Sequence, residues 1–398
     1  MTRRQRFRLG FRRLVGIWPK SILRRTVTII VTVIVVLVTT TLTIIQVKPS
    51  LAATFADNVM RPIIGNKPTI VIENFFFSVG DQIKQFEYHT FAKPSASSNT
   101  AIPITKITKQ APHLQALSLQ PIAPMQTAFP ALTGEGQWSI VSLPQLHGQE
   151  VIAKTFVRPD PVRSYAIVTL VQMNTLALRL HAVAGTAQPG GPIGQPGPGV
   201  IPAVDQQGST LVAAFNGGFQ YKDGQYGMTV GTQTYVPLKA GLGTLTIHKN
   251  GALGISRYST PTKIDPTITA VRQNGLLIVD NGQVTPDTLA GGVSVWGLTT
   301  TSSSETWRSG IGVTKEGNLV YAVGPSLTAS SLATALKASG AIEAIQLDIN
   351  PFWVRYVFYQ PVTPTGFTYD SLLTTMQNGG SAYLHGYNKD FFYLTLAQ

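Results

Sequence analysis

The 398-residue sequence contains no cysteine, which excludes disulfides, thiolate catalysis and cysteine-ligated zinc. The fold must therefore rest on an ordinary apolar core. The chain is long enough to build one, because domains of roughly 300 residues bury about three-quarters of the surface their unfolded chains expose. Histidine is sparse: the six, His89, His113, His147, His181, His248 and His385, show no spacing suited to a shared metal. GxSxG, HExxH and the P-loop pattern are absent, which sets aside three common enzyme classes. Acidic residues are missing from the first 25 positions, where Arg3, Arg4, Arg6, Arg8, Arg12, Arg13, Lys20, Arg24 and Arg25 stand.

That local excess carries most of the formal net charge of +13; the remaining chain holds 22 basic and 18 acidic residues, too even a balance for a nucleic-acid partner. The basic tail, residues 1–25, runs directly into TVTIIVTVIVVLVTTTLTII, residues 26–45. This uncharged stretch is long enough to span a bilayer as a helix, which takes roughly 20 residues. Positive residues stay on the cytoplasmic side. The pattern is that of a single-pass signal-anchor in a cell membrane, with a cytoplasmic N-terminus and an extracytoplasmic C-terminal domain. A cleavable signal peptide, cut near Ser50-Leu51-Ala52, is the competing reading, but its apolar region is usually only ~7–15 residues.

Three parts follow. Residues 54–92 have apolar positions suited to one or two helices, a stalk or cap. Residues 93–133 are rich in Pro, Ser, Thr, Ala and Gln, a composition suited to an extended linker. Residues 134–398 are dense in strand signals: YAIVTLVQM, LALRLHAV, GTLTIHKNGALGIS, GLLIVDNGQVT, SGIGVTKEGNLVYAVG and AIQLDIN. Turn chemistry at Lys249-Asn250-Gly251, Asn281-Gly282 and Glu316-Gly317-Asn318 joins several of these into hairpins. SLTASSLATALKASG reads as a helix with Leu332, Ala335 and Leu336 on one face and Gly340 as its stop. The expected class is α+β: a mostly antiparallel or mixed β-sheet domain with few helices, preceded by a single transmembrane helix and a helical stalk.

Within that domain LVAAFNGGF, residues 211–219, reads as a buried strand ending in Asn216-Gly217-Gly218. Two glycines let backbone amides approach a ligand, and the carboxamide both donates and accepts; a tight turn uses the same residues. The Pro/Gly-rich stretch 185–202 is either a solvent-exposed excursion or a rim beside that junction. Arg308 stands at the entrance of a strand, where its fork suits an oxyanion or a salt bridge. Asp348 arrives near the end of the apolar strand AIQL, and a carboxylate there serves catalysis or caps the following loop.

In this order, NGGF, a hairpin-rich stretch, an Arg-Ser pair opening a strand, the helix TASSLATALKASG and a strand ending in Leu-Asp, the chain resembles the phosphodiester glycosidase family, that of the enzyme which uncovers mannose 6-phosphate. The resemblance covers about residues 158–398. It implies hydrolysis of a sugar linked through its anomeric carbon to a phosphodiester, with Asp348, Arg308 and Asn216 as catalytic residues and Gly217, Gly218 and Asn350 as substrate-binding residues. No cofactor is implied; a divalent cation stays open, as does oligomeric state. The family commonly has His-Pro before the arginine and Leu-Asp-Gly-Gly-Gly-Ser at the third motif. Here those places read Thr306-Trp307-Arg308-Ser309 and Leu347-Asp348-Ile349-Asn350-Pro351-Phe352. The departures point to a divergent, membrane-anchored, bacterial branch acting on a phosphoglycan or sugar-phosphate substrate, with Glu305 as the nearest second carboxylate. A different class competes: a non-catalytic cell-surface glycan or wall-polymer binding protein, in which Trp296, Trp307, Phe352, Trp353 and Tyr356 stack on sugar rings instead of filling the core.

The topology is open to a direct check. Protease added to intact cells is expected to remove the region after Lys93 while the basic tail stays protected; protection of both ends refutes the orientation.

Overall fold

An uncharged run of aliphatic residues has only its own carbonyls to satisfy its amides inside a bilayer, and Lys20–Val47 form one helix, α1. Within it Arg24–Ile44 is long and apolar enough to cross a membrane. Thr28, Thr39 and Thr43 donate their hydroxyls to the carbonyls of Arg24, Val35 and Thr39, one turn back, so these polar side chains do not break the apolar helix. The computed structural model describes residues 20–90, 104–105, 117, 119–125, 130–191, 193–259, 265–290, 305–377 and 379–397. The chain divides after Ile63 into two units. The first carries α1 and α2 (Pro49–Phe55), then a π-helical turn over Ala56–Met60 and α3 (Arg61–Ile64), at whose last residue the division falls.

The second unit begins with α4 (Asn66–Thr90). Its described strands, numbered in chain order, form three sheets, and every pairing is antiparallel. The large sheet runs, edge to edge, β1 (Ile104–Thr105), β2 (Ser139–Val141), β3 (Ile152–Val157), β4 (Val168–Met173), β15 (Leu319–Leu327), β14 (Thr306–Thr314), β16 (Ala341–Ile349), β12 (Leu277–Asp280) and β13 (Gln283–Val284). A second runs β10 (Leu253–Arg257), β9 (Gly243–His248), β11 (Ile268–Gln273), β7 (Met228–Val230) and β8 (Gln233–Val236). The third runs β18 (Phe367–Ser371), β17 (Tyr356–Pro361), β6 (Leu211–Asn216), β19 (Phe391–Leu396) and β5 (Leu178–Val183). Three short α-helices, α5 (Pro286–Ala290), α6 (Ala329–Ala338) and α7 (Gly380–His385), and 3-10 turns over Pro144–Leu146 and Tyr221–Asp223 complete the unit's described elements, which are those of an α+β protein.

Both faces of the large sheet are covered, so its central strands read as continuous apolar runs with no polar alternation. On one face Ile311, Tyr321, Ile345 and Leu347 join Phe215, Tyr356 and Phe392 of the third sheet and Leu245 of the second in the main core. On the other, Leu332, Ala333, Ala335 and Leu336 of α6 are fully buried against Leu170, Val320 and Ala322. Thr328 and Ser331 cap α6 reciprocally, each hydroxyl accepting from the other's amide at 3.1 and 3.0 Å. Gly310 lets that helix lie close: a Cβ there would stand 3.2 Å from both Leu332 and Leu336.

Polar contacts fasten α4 to the sheets. Asp81, buried, accepts from Arg163 Nε at 2.9 Å and from the Tyr165 hydroxyl, and Lys84 Nζ donates to Ser326 Oγ at 2.9 Å. Arg163 also reaches Glu305 at 2.5 Å and Asp160 at 3.5 Å. Inside the stretch 93–133, β1 pairs with β2, Leu117 packs with Ile140 and Ala153, and Ile122 is buried in the α6 core. Most other residues of 93–129 lie outside the described residues.

Because Asp81 is the acceptor at the centre of the α4 contacts, Asp81→Ala should loosen that helix without melting the sheets. Hydrogen exchange over residues 77–88 should accelerate on the order of tenfold or more, the factor given by about 1.4 kcal/mol of local stability. Unchanged exchange there would show that Lys84 and apolar packing suffice.

Candidate active site

β6 ends at Asn216 because its carboxamide takes over from the ladder. Its Oδ1 accepts from the Tyr321 hydroxyl at 2.9 Å and from the Arg355 amide at 3.1 Å; its Nδ2 donates to Ser309 Oγ at 2.9 Å and to the Gly217 carbonyl at 3.0 Å. The two glycines then pass against Asp390. Gly217 N donates to the Asp390 carbonyl at 3.0 Å and Gly218 N to its Oδ2 at 2.9 Å. A Cβ at Gly217 would fall 2.1 Å from Asp390 Oδ2, and one at Gly218 2.7 Å from Arg272 Nη2, so no side chain fits at either. Arg272, buried on β11, pairs with Asp390 through Nε at 2.8 Å and Nη2 at 3.2 Å. Its remaining hydrogens go to the carbonyls of Phe219, Tyr226 and Gln273. Asn274 accepts from Phe219 N at 3.0 Å and donates to the carbonyl of Gln346 at 2.7 Å, tying the turn to the end of β16.

The carbonyl of Gly217 receives the amide of Asp348 at 3.0 Å, and the Asp348 carbonyl receives Ser309 Oγ at 2.8 Å. Asn216, Gly217, Ser309 and Asp348 thus form one hydrogen-bonded cluster where the large and third sheets meet. The Asp348 carboxylate is buried; Oδ1 accepts from Ile349 N at 2.9 Å, and Oδ2 pairs with Lys389 Nζ. That ammonium lies 4.3 Å from the centroid of the Trp353 ring. Burial drives the Asp348 carboxyl up to about 6, with Lys389 and the Ile349 amide holding it back from going further. A carboxyl so placed changes charge close to neutrality, as an acid–base group must. Asn350 adopts φ of 68°, and its Oδ1 accepts from the amides of Phe352 and Trp353, so its side chain builds the turn that follows Asp348.

Arg308 is placed differently. Successive side chains on a strand face opposite ways, so Ser309 reaches Asn216 while Arg308 turns toward the α6 side. There, fully buried, it donates to the Leu327 carbonyl at 2.8 Å and to Gln346 Oε1 at 2.6 Å. Burial lowers its pKa to about 10. Glu305 lies with Arg163. Trp307 packs against the main core, Tyr356 is wholly inside it, Phe352 and Trp353 are half-buried with ring centroids 4.4 Å apart, and Trp296 lies outside the described residues. Sequence reasoning missed Lys389, Asp390, Arg272, Asn274 and Arg355. Its one signal was the charged pair Lys389-Asp390 placed directly before the apolar strand FFYLTL.

The family model for phosphodiester glycosidases matches residues 209–348, from the start of β6 to Asp348. Comparison with curated proteins finds no match. Among solved structures, the chain is similar to the catalytic domain of zebrafish N-acetylglucosamine-1-phosphodiester alpha-N-acetylglucosaminidase auto-inhibited by its pro-peptide, at 12% identity over 66% of this chain and 88% of that one, with a TM-score of 0.37. It is also similar to a hypothetical protein from Synechocystis, at 13% identity over 63% of each chain, with a TM-score of 0.33. Asn216, Gly217, Gly218, Arg308 and Asp348 all fall inside the segment, residues 209–348, that matches the phosphodiester glycosidase family model.

Proposed function

We propose that the chain is a hydrolase of sugar-1-phosphodiester linkages in a surface glycan or glycolipid, held at a membrane by α1 with its second unit outside the cytoplasm. The observation that carries this reading is the buried carboxyl of Asp348, a residue whose main chain is fixed at the end of β16 by Gly217 and Ser309 and whose carboxyl, beside the Ile349 amide and Lys389, is raised to about 6 by burial. A phosphomonoester has its second pKa near ~6 and leaves with little help from a proton. One carboxylate is then enough: ionised Asp348 takes a proton from the attacking water and faces the positive charge that develops at the anomeric carbon. Asn216 acts as a positioning residue, joining Ser309 to the Arg355 amide. Arg308 positions Gln346, two residues before Asp348. The amides of Gly217 and Gly218, already bound to Asp390, give the site its shape.

The second reading, a surface glycan-binding protein, is favoured by the half-buried Phe352–Trp353 pair, which offers aromatic surface to a sugar ring. Turnover separates the two. The full chain in neutral detergent should release free sugar from a sugar-1-phosphodiester, with kcat/KM rising through about pH 6 and level above it. Asp348→Asn should lower kcat by about 10²–10⁴-fold. Retention of a phosphoglycan with no sugar released would leave the binding reading in place.

The same titration acts on stability. The folded carboxyl binds its proton more tightly than the ordinary carboxyl at 3.8, so the stability it contributes is present below that value and is lost as pH rises through about 6. Asp348→Asn combined with Lys389→Met, which removes both charges, should flatten the urea midpoint between about pH 4 and 6 relative to the wild type. Parallel profiles would place the carboxyl in its ordinary range.

A further inference from the structure

Arg355 lies seven residues beyond Asp348, in the approach to β17, and its main chain is locked to the candidate site. Its amide donates to Asn216 Oδ1 at 3.1 Å, and its carbonyl accepts from Asn216 N at 3.0 Å and from the Tyr321 hydroxyl at 3.4 Å. Its side chain is a different matter. The residue is only 7% exposed, yet no described carboxylate pairs with it, and Nε has no hydrogen-bond partner. Among the described residues its side chain has one hydrogen bond, from Nη2 to Gln377 Oε1, at 3.5 Å. The guanidinium carbon stands 5.0 Å from the Tyr387 ring centroid and 5.9 Å from that of Phe352, and Gly379 leaves it room, since a Cβ there would fall 2.5 Å from Nη1.

A buried cation whose Nε hydrogen is unspent and whose fork has one long hydrogen bond is costly unless something completes it. The other buried arginines are better supplied: Arg272 is spent on Asp390 and three carbonyls, Arg158 on Glu135 and the Pro130 carbonyl, and Arg308 on the Leu327 carbonyl and, at 2.6 Å, Gln346 Oε1. What Arg355 lacks is two adjacent acceptors in its own plane, the arrangement presented by a phosphoryl group. Its surroundings set where that group would lie. Tyr387 feels Arg355 and Asp348 together: burial raises its phenol to about 12, Arg355 opposes the rise and Asp348 adds to it. Lys389, over the Trp353 ring, pairs with Asp348.

We infer that Arg355, flanked by Tyr387 and Phe352 and joined to Asp348 through Asn216 and Ser309, is the phosphoryl-binding subsite of this chain, receiving the phosphate of a diester through its fork. The inference rests on the proposed hydrolase reading for the identity of the substrate, and on the unspent guanidinium for the site itself. It gives the anion-binding role to Arg355, whose donors are available, and leaves Arg308 as a structural arginine.

The test uses the full chain in neutral detergent, with inorganic phosphate as probe and chloride at matched ionic strength as control. Phosphate should bind the wild type and raise its thermal midpoint. Arg355→Gln should weaken phosphate binding at least tenfold, and Arg355→Lys, which keeps charge but loses the fork, should fall between. Both variants should unfold within a few degrees of wild type in chloride. If the Gln variant fails to fold, the Lys variant decides: unchanged phosphate affinity overturns the inference, as does a wild type that phosphate neither binds nor stabilises. Activity keeps the two ideas apart. Diester turnover with KM raised by Arg355→Lys and kcat little changed supports both. Phosphate binding lost with Arg355 in a protein that releases no sugar supports the subsite and removes the hydrolase; turnover with phosphate affinity indifferent to Arg355 does the reverse.

Discussion

The ion pair between Arg272 and Asp390 is the contact on which the rest of the second unit depends. Arg272 comes from the second sheet, Asp390 leads into the third, and the turn after β6 is folded around both. Every hydrogen on the guanidinium has an acceptor, and three donors converge on the Asp390 carboxylate. A buried pair so completed costs little to keep, whereas removal of one partner strands a charge, at a cost of roughly 3–5 kcal/mol. It also explains why Gly217 and Gly218 must be glycines. Only with the backbone against Asp390 does the Gly217 carbonyl face the Asp348 amide and align β16 with β6.

Lys389 and Asp390 are neighbours in sequence and opposites in use. Asp390 is saturated and serves as a fixed frame. Asp348, the partner of Lys389, has one ammonium and one amide for two buried oxygens, and desolvation outweighs them. Incomplete satisfaction is what leaves a carboxyl able to change its charge near neutrality. The same principle separates Arg308, whose guanidinium holds a carbonyl and a carboxamide, from Arg355, whose guanidinium has one long hydrogen bond.

Much of the fold was legible because its signals are local. The turns at Asn250-Gly251, Asn281-Gly282 and Gly317-Asn318 join β9 to β10, β12 to β13 and β14 to β15, and the helix read from Leu332, Ala335 and Leu336 is α6. Asn216, Arg308 and Asp348 were found by motif, but their relations were not. Strand alternation separates Arg308 from Ser309, yet which of the two faces the site depends on sheets that form elsewhere in the chain. Asp390 lies 172 residues from Gly218 and Lys389 41 residues from Asp348, separations across which no sequence period runs. In the stretch 93–133, isolated Leu117 and Ile122 are buried without any alternation to announce it.

The placement of β19 has a consequence for how the protein is made. This strand lies between β5 and β6, both synthesised about two hundred residues earlier, and it brings Lys389 and Asp390 with it. During synthesis, at about 5–20 residues per second, every other strand of the unit emerges before it. Until it inserts, Arg272 has no carboxylate, the Gly217 and Gly218 amides have no acceptor and Asp348 has no ammonium. The nascent chain is therefore chemically unfinished until its third sheet closes, and the hydrogen-bonded cluster around Asp348 is among the last parts of the unit to be completed.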